Sequence, residues 1–192
     1  MKRIFRGLIS LLLVISLVGC GAGNGGAESE KKEYSVENFT VYDMELNEVE
    51  LEDYIGKPIV LNFWATWCYY CKIEMPDFNE AYKNHPEIQF MMVNYTDGKN
   101  ETVEKAKAYI ESEGYEFPVF FDTELTAAEK YGVSAFPTTF FISAEGELLK
   151  NQKGAMSAEK LENYIALFGS FKEYRLTLSF YFSIIIYYRL LF

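Results

Sequence analysis

The stretch "IVLNFWAT", residues 59–66, is apolar on both faces that an extended chain presents, interrupted only by Asn62 before it ends at Thr66. A half-wet strand alternates polar and apolar side chains; a continuous run needs cover on both sides, which helices packed over a sheet provide. The remaining segments supply those layers. Residues 69–83 read as a helix, 88–95 ("IQFMMVNY") as a second buried strand, Asn100 to Glu113 as an amphipathic helix and 117–122 as a short strand. Leu125 to Tyr131 reads as a helix ended by Gly132, 138–143 ("TTFFIS") as a strand, Ala144 to Gly146 as a turn and 147–152 as a further strand. Ser157 is placed to cap a last helix running to about Phe168. Upstream, Phe39 to Leu51 shows two-residue alternation broken at Leu46-Asn47-Glu48, the pattern of a hairpin. Strands alternating with helices and closing on a hairpin predict an α/β fold with a mixed central sheet.

The chain's first nineteen residues are an address rather than a fold element. Lys2, Arg3 and Arg6 form a positive start, Leu8 to Val18 an apolar stretch too short for a membrane span, and Gly19 precedes Cys20. This junction resembles the lipobox of bacterial lipoproteins, which implies that Cys20 becomes a lipidated N-terminus; the alternative is an ordinary secretory leader. Residues 20–35, rich in Gly, Ala, Ser, Glu and Lys, then read as a tether, and 36–169 as a single domain. Setting aside the three leader cations leaves 15 basic against 28 acidic residues, a charge of −13. With no Lys/Arg stripe anywhere, that balance argues against nucleic acid as a partner. Residues 170–192 turn apolar and aromatic, and read either as a short membrane-associated segment or as an extension with no role.

With Cys20 assigned to lipid, Cys68 and Cys71 remain for chemistry. A pair this close cannot staple distant parts of a fold. A zinc site would need more ligands than the single His85, a loop residue beside Pro86, and no second Cys-x-x-Cys is present. No metal or cofactor is called for. Cys68 lies where the strand ends and a helix begins, with Cys71 one turn along, so their Cβ atoms sit about 5–6 Å apart, within reach of a disulfide. Unpaired N–H groups at a helix start favour a thiolate, so Cys68 should titrate below the free value of about 8.5 and act as nucleophile, with the more buried Cys71 resolving the mixed disulfide.

"VLNFWATWCYYC" with "KIEMP", and "VSAFPTTFFIS" some 60 residues later, resemble the thioredoxin superfamily, and more narrowly its extracytoplasmic, membrane-anchored TlpA and ResA group. The resemblance covers residues 36–168 and implies a thioredoxin fold with an N-terminal hairpin and a strand-and-helix insertion between the two motifs. It also implies that Pro137 is a cis-proline facing the cysteines, that Phe136 offers its backbone to a substrate strand, and that Pro76 kinks the active-site helix. Glu74 matches an acidic residue that tunes the thiols. Asn62 stands where cytosolic thioredoxins carry a buried aspartate, so proton transfer through that position is in doubt and Glu74 is the substitute. Tyr69 and Tyr70 depart from relatives with proline before the second cysteine; with Trp67 they are expected at the substrate contact surface, and Trp64 in the core. The function implied is reduction of disulfides in client proteins, such as an apocytochrome c or a secreted sulfoxide reductase, on the extracytoplasmic face of the cell membrane. An integral membrane thiol carrier would be the electron donor. A disulfide-forming oxidase and a non-catalytic binding lipoprotein of the same fold are the alternatives.

Overall fold

A computed structural model describes residues 35–191, with side chains through Ser179 and at Tyr181; the leader, Cys20 and all but the end of the tether lie outside the described residues. The hairpin forms as β1 (Thr40–Tyr42) and β2 (Glu48–Glu50). Its turn begins earlier than expected, at Asp43, because the Asp43 carboxylate gathers the N–H groups of Glu45 and Asn47 and the Asn47 amide at 2.8–3.0 Å. A 3₁₀ turn, Leu51–Tyr54, then buries Leu51 and leads to β3 (Ile59–Trp64), in which every residue is buried.

The elements that follow are α1 (Tyr69–Asn84), β4 (Gln89–Asn94), α2 (Val103–Glu113), β5 (Val119–Phe121) and α3 (Thr126–Lys130). The chain closes with β6 (Thr138–Ile142), β7 (Leu148–Lys153) and α4 (Ala158–Leu191). Helix α2 starts later than expected because the Thr102 hydroxyl caps it, accepting from Lys105 N–H at 3.3 Å; it stops at Gly114, whose φ of +68° few other residues adopt cheaply.

The sheet has seven strands in the order β2-β1-β5-β4-β3-β6-β7. Strand β3 runs parallel to β4 and antiparallel to β6, and β4 is parallel to β5, so the sheet is mixed as anticipated. The block between the two motifs adds α2, β5 and α3 to β4, and β5 in turn receives β1 of the hairpin. Alternation along β3 divides the core. Val60 and Trp64 point to the layer of Met75, Phe78, Leu161 and Ile165 from α1 and α4, whereas Leu61 and Phe63 join Ala127 and Ala128 of α3. Asn62 therefore faces α1, a consequence central to the site.

The last helix does not stop near Phe168 but continues to Leu191. Gly169 keeps a helical backbone instead of the left-handed conformation that would end it, and no proline follows. The segment expected as a separate tail is thus the continuation of α4, where Arg175 pairs with Glu147 of the β6–β7 turn at 2.7 Å. Among the described residues no helix is long and apolar enough to cross a membrane. His85, expected as a solvated loop residue, is instead the C-cap of α1, its ring 3.0 Å from Glu162 of α4 and 3.3 Å from Glu87, because α4 packs back over that end of α1.

Candidate active site

The end of β3 delivers the cysteines. Beyond Trp64, whose carbonyl accepts from Tyr95 N–H at 2.9 Å, Ala65 to Cys68 form a tight turn closed by Cys68 N–H donating to Ala65 O at 3.1 Å. Cys68 leaves that turn with an extended backbone (φ −80°, ψ 106°) and is the N-cap residue of α1. Its sulfur accepts from Cys71 N–H at 3.1 Å, standing in for the Ser or Asp oxygen that usually satisfies an unpaired first-turn donor. A thiolate there would receive the same N–H and the positive end of the helix dipole.

Cys68 and Cys71 are joined as a disulfide with Cα atoms 5.3 Å apart, so the pairing closes within one helical turn. Their burial is unequal in the expected sense: Cys71 has no exposed surface and Cys68 keeps 5%. Of the two, only the Cys68 side reaches the surface.

Glu74 lies one turn beyond Cys71 on α1 and is fully buried. Its two oxygens accept from different elements, Oε1 from Asn62 Nδ2 at 2.9 Å and Oε2 from Met156 N–H, before α4, at 3.0 Å. Asn62 Nδ2 also donates to Thr139 Oγ1 of β6 at 2.9 Å, while Asn62 Oδ1 has no partner among the described residues. Burial pushes the Glu74 carboxyl up to about 7, with a small addition from Asp77, against the lowering influence of the Met156 and Asn62 hydrogen bonds. Asn62 thus meets the carboxyl as a hydrogen-bond donor, not as a proton acceptor. Thr139 and Met156, the other members of this network, had no signal in the sequence: one reads as a strand residue, and the other contributes only a backbone N–H.

Around the disulfide the surface is aromatic. Trp67 is 52% exposed, and Tyr69 and Tyr70 are 70% and 62% exposed, their rings meeting edge to face with centroids 5.4 Å apart. The Phe136–Pro137 bond is cis, and the Phe136 ring contacts Trp67 at 5.6 Å and Tyr95 at 5.0 Å. The second motif is therefore held against the first through Trp67, the residue preceding Cys68. Trp64 is fully buried, as expected. A shallow groove beside Trp67 is walled by Lys99, Asn100 and Lys105. A larger hollow, between Pro58, His85, Ser143 and Phe168, opens at the other end of β3 and has no part in this chemistry.

Two cysteines bonded within one helical turn, the first at the helix start and a buried carboxyl one turn behind the second, form an arrangement that can carry out thiol–disulfide exchange. Comparison with known proteins agrees. Residues 33–150 match the AhpC/TSA family. The chain is 35% identical over 167 residues to the thiol-disulfide oxidoreductase ResA of Bacillus thuringiensis subsp. konkukian, covering 85% of this chain and 95% of that one. Among solved structures it resembles StoA from Bacillus subtilis (26% identity, TM-score 0.59, 67% of this chain and 96% of the other). It likewise resembles the pneumococcal exposed lipoprotein thioredoxin from Streptococcus pneumoniae (30% identity, TM-score 0.59, 67% and 98%). With fold, cysteine geometry and relatives in agreement, the chain belongs to the AhpC/TSA family of thioredoxin-like proteins and is a thiol-disulfide oxidoreductase.

Proposed function

We propose that this oxidoreductase works as a reductant of client disulfides outside the cytoplasm, anchored to the membrane by lipid on Cys20. The observation that carries the redox direction is Glu74, a buried carboxyl on the helix of the cysteine pair. When ionised it opposes a second negative charge on the thiols, which disfavours the dithiolate and makes the reduced pair a readier electron donor. In the forward reaction the Cys68 thiolate attacks one sulfur of a client disulfide, forming a mixed disulfide as the client's other sulfur leaves as thiolate. Cys71 then gives its proton to Glu74 and attacks Cys68 Sγ, which breaks the bond between Cys68 and the client sulfur and releases that sulfur as the client's second thiolate, so the enzyme pair is oxidised and the client gains two electrons and, from solvent and Glu74, two protons. An integral membrane thiol carrier returns the pair to the dithiol.

Trp67, Tyr69, Tyr70 and Phe136 form the client-facing surface, with the backbone around the cis Phe136–Pro137 bond, held against Trp67 through the Phe136 ring, receiving an extended segment. The anchor is supported by the Gly19-Cys20 junction and by the lipoprotein character of the pneumococcal relative. The resemblance of the two motifs to the TlpA and ResA group favours an apocytochrome c or a secreted sulfoxide reductase as client.

The test is Cys71→Ser in cells. Without a resolving thiol the mixed disulfide through Cys68 accumulates, and mass spectrometry of the trapped adduct names the client; absence of any adduct overturns the reading. The potential of the couple decides direction. A value below about −220 mV is that of a reductant, and one near about −120 mV would assign the chain to disulfide formation.

A further inference from the structure

Glu101 is a second buried carboxyl that the exchange chemistry leaves unassigned. It lies in the loop before α2, has no exposed surface, and accepts three hydrogen bonds: from Thr66 N–H at 2.9 Å, from the Thr66 hydroxyl at 2.6 Å and from Asn94 Nδ2 at 2.7 Å. Burying a carboxyl without such donors would be costly, so the three donors hold the group as firmly as it holds them.

Two of those donors come from one residue, and that residue is next to the nucleophile's turn closure. Thr66 is the second residue of the Ala65–Cys68 turn, whose only internal backbone bond is Cys68 N–H to Ala65 O. The clamp is itself braced. The Asp97 carboxylate gathers the N–H groups of Lys99, Asn100 and Glu101 at 2.8–2.9 Å, Gly98 N–H donates to Glu101 O at 2.9 Å, and Thr102 caps α2 immediately after. On the other side Asn94, opposite Trp64 in the sheet, is oriented by the Thr96 hydroxyl donating to its Oδ1 at 2.8 Å.

We propose that Glu101 is a positioning residue for Cys68: through Thr66 it fixes the turn that presents the sulfur at the start of α1. This rests on Cys68 being the nucleophile. Its effect is geometric, and a displacement of about 1 Å at a reacting centre is enough to cost on the order of 10²-fold in rate.

The experiment uses the reduced full chain and a synthetic peptide closed by one disulfide. The rate of peptide reduction is followed from acid pH up to the plateau where Cys68 is fully thiolate, for the wild type, Glu101→Gln, Thr66→Val, their combination, and Thr66→Ser. Glu101→Gln and Thr66→Val are expected to lower the plateau rate about tenfold or more, the combination no further than the stronger single change, and Thr66→Ser, which keeps both donors, to match the wild type. A merely structural clamp would lower the melting temperature and leave the plateau rate of the folded protein unchanged. Plateau rates within about twofold of wild type in Thr66→Val overturn the proposal whether or not Glu101→Gln folds. A wild-type chain that fails to reduce the peptide, or whose activity survives Cys68→Ser, overturns the redox reading as well; an active wild type with unaffected variants overturns this inference alone.

Discussion

Replacing Glu74 by glutamine should remove a loss of stability that the wild type undergoes over a defined pH window. Burial raises the folded-state affinity of this carboxyl for its proton from 4.5 to about 7. The native state therefore holds a proton that the unfolded chain releases, and stability falls as pH rises from about 4.5 to about 7. A shift from 4.5 to about 7 corresponds to about 3 kcal/mol, fully expressed above neutrality and absent at about pH 4. The glutamine side chain carries no such penalty. Its amide replaces one acceptor with a donor, but the unpartnered Oδ1 of Asn62 can meet it if the Asn62 amide turns over. At pH 8 the variant should be more stable than the wild type by about 2–3 kcal/mol, and at pH 4.5 equal to it or less stable by about 1 kcal/mol. Urea unfolding of the oxidised proteins at pH 4.5, 6, 7 and 8 reads the difference directly. A gap between the two proteins that stays constant across that range would refute the reasoning, because it would mean that Glu74 does not change its protonation there.

In the reduced protein the same Glu74→Gln change should lower the pH at which the thiols ionise, measured by the pH dependence of iodoacetamide alkylation, since the opposing charge is gone. Asn62→Ala removes one of the two donors that favour the ionised Glu74, so the stability loss should still begin near pH 4.5 but extend above about pH 7 and become larger, alongside a general destabilisation of about 1–3 kcal/mol measured in urea. Trp67→Ala, at a half-exposed position in contact with Phe136, should raise KM for a disulfide peptide severalfold while changing stability by less than about 1 kcal/mol.

The buried strand 59–64, the helix opening at residue 69, the cysteine pair at one end of that helix and the proline before the strand at 138 were all legible in the sequence. Each is a local pattern, a period of two, a spacing of three or a Pro next to an apolar run, and local patterns survive in a linear record. Element ends were less legible. The hairpin turn moved to Asp43 through side-chain hydrogen bonds, and α4 ran past Gly169 because a glycine ends a helix only if its backbone turns left-handed.

By itself the amino-acid order determined that a cysteine sulfur would open a helix behind a doubly covered strand. Only the tertiary structure decided what surrounds that sulfur. Glu74 gathers Asn62 from 12 residues away and Met156 from 82, and Glu101 reaches Thr66 across 35. A glutamate reads the same in sequence whether it is solvated or buried; its proton affinity, and its use, depend on donors that folding alone brings to it.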